Sequence, residues 1–436
     1  MSSGRTELAR RVLSQGVRVN GETLDAAGSS FHSLVEGLDS AGVRPGDVVV
    51  LGGLAGRELV TAAVAAWRLD AVPLPVPGTG EPAGQATRGA CRVTEELTVV
   101  PRTGEQGELG LATTAVLHLS SGSTDRPKAA RRGVASLLCE AEGYRIGLSL
   151  APGDCVAVPV PLVHSFGWGV AMSTMLAGGD IEVAPFVRAG TLARRLDSGD
   201  VSVLALTPPL ARLLAGTRRR GEFRPRAVMA GAGRIGDELD TAFRERFEVP
   251  LLRGYGCSET GGTFFGERGM GRPVSGVDIL QPGPGTRGEL VLRLPAPVEG
   301  YLGDPAPPTR EWRSGDIVRH GSDGSVHFVQ RVRGPLRLNG RFVRTDGITK
   351  SLQAVTGVRD VFLLVLPRAD SPEIEDFHAV VEGNPAGTDL IAALAGNSDG
   401  SPVPRVLVCR EMPRTVVGKP DRNALTDMVR KGIEAA

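Results

Sequence analysis

The 436-residue sequence predicts an α/β protein. A large N-terminal domain of layered, mostly parallel sheets with helices and a small β-rich subdomain precedes a small α+β C-terminal domain. Three observations predict this. Up to Phe247, apolar strand-like runs alternate with helical patterns, as buried parallel strands joined by crossovers require. From Gly288 short strands follow one another across turns such as Ser322-Asp323-Gly324, a small antiparallel region. Beyond Gly334 an α+β pattern returns, so the boundary is expected near residue 332, giving domains 1–331 and 332–436.

Phe31–Ala41 has the periodicity of a helix, Gly42–Asp47 that of a turn, and Val48–Leu51 that of a strand. Arg57–Leu69 reads as a helix and Ala71–Val76 as a proline-interrupted strand. Thr114–Leu119 is a β-type run, Cys155–Val160 a strand, Trp168–Ala177 a helix and Ile181–Val183 a strand. Leu192–Ser198 and Pro208–Leu214 read as helices around the strand Val203–Leu206; Ala227–Ala230 and Asp237–Phe247 follow as strand and helix. Later strands are expected at Glu289–Leu294, Asp316–Arg319 and Val326–Val329. The C-terminal domain starts with a Leu336/Leu338 strand and a helix near Gly347–Val355.

Composition excludes several function classes. A net charge of +1 argues against a nucleic-acid or membrane partner. Five scattered cysteines with no C-x-x-C pair argue against a disulfide framework, and no metal-ligand spacing joins them to the six histidines. Met1–Gln15 carries charges throughout and no apolar core, so a secretory signal is not expected and the expected location is cytoplasmic. The uncharged stretch Cys155–Gly179 is broken by Pro159, Pro161 and several glycines, which favours buried core over a membrane span.

The chemistry-bearing residues fall in a fixed order. Ser120, Ser121, Gly122, Ser123, Thr124, Asp125, Arg126, Pro127 and Lys128 form a hydroxyl-rich loop at a strand end. Close backbone N–H groups, hydroxyls and one lysine suit a triphosphate, although the loop is not a Walker A sequence. Gly254–Thr260 is expected as one tight turn. It carries Tyr255 for adenine packing, Ser258 for an α-phosphate contact and Glu259 as a Mg²⁺ ligand. Ser314-Gly315-Asp316 puts a carboxylate at a strand start, suited to both ribose hydroxyls; Arg331 follows, and Lys419 lies on a turn near the C-terminus. Two decoys are set aside. Gly231-Ala232-Gly233-Arg234-Ile235-Gly236 spells G-x-G-x-x-G, but the next strand ends Leu251-Leu252-Arg253 with no acidic residue. Ser258 sits in G-x-S-x-T, not in a hydrolase elbow.

On these motifs the chain resembles the adenylate-forming superfamily of acyl-CoA synthetases, stand-alone adenylation enzymes of nonribosomal peptide synthesis, and luciferases. The resemblance implies ATP and Mg²⁺, with Ser120–Lys128 around the β- and γ-phosphates and Gly231, Ala232, Gly233 and Tyr255 flanking adenine. It also implies Ser258 at the α-phosphate, Glu259 on Mg²⁺, and Asp316 and Arg331 on the ribose. Lys419 would bridge the substrate carboxylate and the α-phosphate. The family pattern is broken where Asp125 replaces a glycine, Ser258 a threonine and Gln330 a glycine, and where Arg333 stands at the hinge position. The stretch from residue 79 to 120 is shorter than the family's, so part of the N-terminal domain is expected to be trimmed.

Pro161–Gly167 resembles the acid-pocket stretch of acyl-activating members, giving His164, Ser165, Phe166, Gly167, Trp168 and Gly256 as pocket residues and His164 also as a catalytic candidate. Ser165 stands where amino-acid-activating members carry an aspartate, so a fatty or aryl acid is expected. Gly340 is expected to line the channel for a pantetheine thiol, from CoA or from an acyl or peptidyl carrier protein. The implied activity is acyl-AMP formation and transfer to that thiol in a dedicated biosynthetic pathway, by a monomer or homodimer. Two alternatives stand beside it: an amine acceptor, and a degenerate homologue that binds nucleotide or carrier without catalysis. The basic cluster Arg218, Arg219, Arg220, Arg224 and Arg226 is a candidate surface for CoA phosphates or an acidic carrier.

Overall fold

The computed structural model describes residues 4–25, 28–78, 90–101, 110–120, 128–183, 189–217, 224–233, 235–304, 306–331, 336–343, 345–368, 370–395, 402–414 and 420–434. They form two compact units, one ending at Arg331 and the other starting at Leu336.

The first unit is organised by a nine-stranded sheet. In spatial order its middle strands are Leu251–Cys257, Ala227–Ala230, Val203–Leu206, Cys155–Val158, Asp180–Val183 and Arg18–Val19, and every neighbouring pair among these is parallel. Val203–Leu206 and Ala227–Ala230 are buried along their whole length. That is why they read as continuous apolar runs without alternation. Strand order reverses at Cys155–Val158: the chain moves to Asp180–Val183 on one side, then crosses back to Val203–Leu206 on the other. The carboxyl ends of strands around such a switch point form a crevice that favours ligands.

A second sheet packs Val72–Val76, Val48–Gly52 and Cys91–Val93 in parallel, with Val99–Pro101 antiparallel at its edge. Pro73 and Pro75 are tolerated because Val72–Val76 is itself an edge strand. Thr114–Ser120 and Lys128–Gly133 form a two-stranded antiparallel ribbon in which Ser120 stands opposite Lys128. Four antiparallel strands, Asp278–Gln281, Arg287–Val298, Thr309–His320 and Val326–Arg331, complete the unit as its β-rich part.

The first helix ties the unit together, burying Arg5, Leu8, Ala9 and Val12 along one face. Gly4–Ser14 buries Arg5, whose guanidinium bonds Asp70 at 2.7 Å and the carbonyls of Leu111 and Thr114 at 2.6 and 2.8 Å. A buried arginine needs such saturation of its donors. It fastens the start of the ribbon to the turn that precedes the edge strand Val72–Val76.

The second unit holds the hairpin Arg337–Leu338/Arg341–Phe342, the helix Thr345–Gln353 and a three-stranded sheet. In that sheet Val358–Pro367 runs antiparallel and Arg405–Cys409 parallel to the central Glu375–Gly383. Among the described residues no helix is long and apolar enough to cross a membrane. Boundaries differ from the sequence reading at three informative places. The helix expected from Trp168 begins at Ser165. Gly254–Cys257 continues a strand, and only Ser258–Thr260 turns. Asp316 lies inside the twelve-residue strand Thr309–His320 rather than at a strand start.

Candidate functional site

The helix Ser165–Leu176 starts just past the strand Cys155–Val158, with exposed His164 as its cap residue and the Trp168 N–H bonded to the His164 carbonyl at 3.0 Å. Next to this strand in the sheet lies the one ending at Leu206, and next to that one the strand ending at Ala230. Gly231 follows Ala230 directly, and its N–H bonds the Leu206 carbonyl at 3.1 Å. The Phe166 ring packs on Gly231 so closely that a Cβ there would lie 2.9 Å from it. Two segments far apart in sequence, both expected at the acid and adenine, are thus in contact at the switch-point crevice. Ala232 has φ +62°, a left-handed backbone that alanine rarely adopts. Such strain gathers at ligand loops.

Trp168 does not join Phe166. It is 1% exposed and packs edge-on against Trp67, with centroids 6.0 Å apart, and against His118 at 5.9 Å. His118 lies on the strand leading to Ser120 and makes a hydrogen bond with the backbone of Val163. Burial, reinforced by the Arg132 charge and by His164, holds its imidazole down to about 3, against an ordinary 6.5. The unfolded chain therefore takes up this proton near 6.5 and the folded chain only near 3. Stability is full above the higher value and is lost as pH falls through that window. His118→Phe is expected to flatten the pH dependence of the melting temperature between about pH 6 and about pH 4. An unchanged acid limb in thermal melts would show that another group sets it.

The nucleotide-side residues sit on the next strand and its neighbours. A Cβ at Gly256 would lie 2.0 Å from the Gly261 carbonyl, so the strand and its antiparallel partner Gly261–Gly266 approach too closely for any other residue. The approach coincides with a register shift between Tyr255 and Gly256. The Tyr255 phenol donates to the Asp316 carboxylate at 2.6 Å, and the ring meets Phe264 edge-on at 5.8 Å. Burial first, and the Asp316 charge second, raise this phenol well above its ordinary 10, so it stays protonated and donating.

Asp316 is 4% exposed. A bulge aims it: Gly315 has φ +71°, register shifts beside it, and the Asp316 N–H bonds the Ser314 hydroxyl at 3.0 Å. Its backbone partner on the next strand is Arg331. That ladder pairing is why two residues far apart in sequence stand side by side.

The turn Ser258–Thr260 buries Ser258 and Thr260 and leaves Glu259 half-buried. The Tyr301 phenol donates to the Glu259 carboxylate. The Lys128 ammonium lies 5.2 Å from the centroid of the same Tyr301 ring, a cation–π contact. Tyr301 thus joins the loop-end lysine to the candidate metal carboxylate, and the motif reading missed it. A signal existed: the chain has only three tyrosines, and two of them place their hydroxyls on Asp316 and Glu259. Among the described residues no cluster of three or more metal-ligating side chains gathers. One carboxylate here suits Mg²⁺, which takes one or two carboxylates and completes its shell with phosphate oxygens and water.

Beneath the turn lies a buried ion pair. Arg132 bonds Glu140 at 3.0 Å, with side chains 1% and 2% exposed, and the other Glu140 oxygen accepts the Gly262 N–H at 2.7 Å. Ser121–Pro127, including Asp125, lie outside the described residues, as do Arg218–Arg220, Arg234, Arg333 and Lys419. Of the basic cluster, Arg224 pairs with Glu248 at 2.6 Å and Arg226 with Asp154 at 2.5 Å, so these two have local partners.

A family model described as AMP-binding enzyme matches residues 85–302, half of the chain. Similar proteins include a 4-coumarate–CoA ligase of Oryza sativa subsp. japonica, 27% identical over 58% of this chain and 50% of the relative. A feruloyl-CoA synthase of an Amycolatopsis species is 24% identical over 71% of this chain and 69% of the relative. The chain spans about half the length of the rice ligases it matches. Among solved structures, an amide bond synthetase from Marinactinospora thermotolerans superposes with a TM-score of 0.76 at 19% identity, covering 97% of this chain and 99% of that one. With this match and the fold in hand, the chain belongs to the AMP-binding enzyme family of the adenylate-forming superfamily.

Proposed function

We propose that the protein activates a fatty or aryl carboxylic acid with ATP, releasing pyrophosphate, and passes the acyl group to a pantetheine thiol of CoA or a carrier protein. The observation that carries this reading is the gathering of Lys128 and Glu259 on Tyr301, at the open end of the ribbon where Ser120 faces Lys128. A cation and a carboxylate held there suit the phosphates of a nucleotide and their Mg²⁺, which would neutralise the leaving pyrophosphate.

The other residues take roles that follow from their chemistry. Tyr255 and the Gly231–Gly233 loop offer flat apolar and backbone surface to adenine, and Asp316 accepts from ribose hydroxyls beside Arg331. Ser258 donates to the α-phosphate. A carboxylate oxygen of the acid attacks the α-phosphorus, the bond to pyrophosphate breaks, and the acyl-AMP keeps the bridging oxygen. In the second step the thiol sulfur attacks the acyl carbon, AMP leaves, and the thiol proton passes to solvent.

Phe166 against Gly231 supports an apolar acid-binding wall, and Ser165 supplies no charge for an α-ammonium. The relatives named for 4-coumarate and ferulate favour the aryl side of that choice. The test is acid-dependent pyrophosphate release with a panel of fatty, aryl and amino acids and no thiol. Release with aryl or fatty acids is expected, and thioester should form when CoA or a loaded carrier is added. Release with amino acids alone would overturn the acid assignment. Amide formation with an added amine, and no thioester, would overturn the acceptor assignment. ATP binding without release for any acid would favour the non-catalytic homologue.

A further inference from the structure

We infer that Asn339 and Glu375 are positioning residues for the acyl-transfer step, holding the turn that carries Gly340; the inference rests on the thiol-transfer reading above. The hairpin Arg337–Leu338/Arg341–Phe342 turns through two residues only, Asn339 and Gly340, with φ +51° and +80°. Positive φ at both central residues marks a type I′ turn, which Asn-Gly forms best. A two-residue turn has no spare residue to absorb a displacement of its tip.

That tip is pinned from the side by one residue. The Asn339 N–H donates to the Glu375 carboxylate at 2.7 Å. The Asn339 amide also pairs with the Glu375 backbone, donating Nδ2–H to its carbonyl at 3.2 Å and accepting its N–H at 2.7 Å. Glu375 opens the strand Glu375–Gly383, the central strand of the unit's sheet, whose Phe377, Ala379 and Val381 sit in the core. Three hydrogen bonds therefore tie the Gly340 turn to the central, buried strand of its unit's sheet. All the groups involved belong to this unit, so the tie is made whatever the rest of the chain does.

Stability alone does not call for this arrangement. An Asn-Gly turn closes a hairpin without help, and a carboxylate spent on a backbone N–H is a charge-assisted bond of the kind that fixes position. A thiol on a flexible arm reacts well only when its path is held to a fraction of an ångström. With Gly340 in the thiol's path, as the thiol-transfer reading has it, fixing this side-chain-free tip serves the transfer step.

The experiment measures both half-reactions on the full chain. Acyl-AMP formation is read by pyrophosphate release without thiol, and thioester formation by single-turnover transfer from preformed acyl-AMP. Asn339→Gly keeps the turn type and removes the amide bonds; Glu375→Ala removes the carboxylate; Glu375→Gln keeps an acceptor for the Asn339 N–H. Asn339→Gly and Glu375→Ala are expected to slow transfer on the order of tenfold while leaving acyl-AMP formation within about twofold, and Glu375→Gln to recover most of the loss. Should Glu375→Ala fail to fold, Asn339→Gly and Glu375→Gln still give the comparison. Equal slowing of both half-reactions, or unchanged transfer in Asn339→Gly, overturns the inference while the thiol-transfer reading stands. A wild-type chain that makes acyl-AMP but no thioester overturns that reading, and this inference with it.

Discussion

Lys419→Ala is expected to slow acyl-AMP formation by on the order of 10²–10³, with ATP binding largely kept. An anionic carboxylate must approach an anionic phosphorus, and one cation between them offsets a repulsion that a low-dielectric site would magnify. Residues 415–419 lie between two anchored points. Arg414 and Pro420 form a backbone bridge, and the Asp421 N–H bonds the Pro413 carbonyl at 2.8 Å. Arg414 is held in turn by Asp360 and Glu382, each at 2.8 Å. Pyrophosphate release with the preferred acid, beside nucleotide binding by calorimetry, checks this. Release within about twofold of wild type would remove Lys419 from the chemistry.

Glu140→Ala is expected to cost about 3–5 kcal/mol of stability, because it strands the Arg132 guanidinium in the core. The same carboxylate accepts the Gly262 N–H, so the substitution also leaves a backbone donor unpaired just past the Ser258–Thr260 turn. Thermal or urea unfolding measures the loss. The double variant Arg132→Met/Glu140→Leu should lose less than Glu140→Ala, since no lone charge remains buried. A Glu140→Ala chain as stable as wild type would mean that water reaches the pair. The pair also links three segments: Arg132 lies on the ribbon strand Lys128–Gly133, Glu140 on the helix Val134–Gly147, and Gly262 in the strand Gly261–Gly266 after the turn.

How much was legible in the sequence follows from which forces are local. Val203–Leu206, Ala227–Ala230 and Asp237–Phe247 match the sequence reading residue for residue. Strands buried on both faces and helices with one apolar stripe write their period into a few neighbouring residues. Of the phosphate-type loop, Ser121–Pro127 lie outside the described residues; of the other two motifs, Gly254–Thr260 and Ser314–Asp316, the structure brings Tyr255 and Asp316 together. Small residues, hydroxyls and carboxylates crowd together where backbone must come close to a ligand.

What the sequence by itself determined, then, was the order of layers, the family and the types of chemical group in the site. Only the tertiary structure decided which of them meet. Tyr301 reaches Glu259 and Lys128, Phe166 lies on Gly231, and Arg5 ties Thr114 to Asp70, each across long stretches of chain. No periodicity records such pairs, because they arise from sheet order and strand register. Asp316 was expected at the start of a short strand; here Gly315 makes a bulge, and the long ladder with Arg287–Val298 carries the strand through it. Trp168, which the resemblance put at the acid pocket, is packed against Trp67 and His118 in the core, and only the folded packing shows that. Local pattern is set by nearest neighbours, whereas the site is set by the packing of sheets, and that packing exists only once the whole unit has folded.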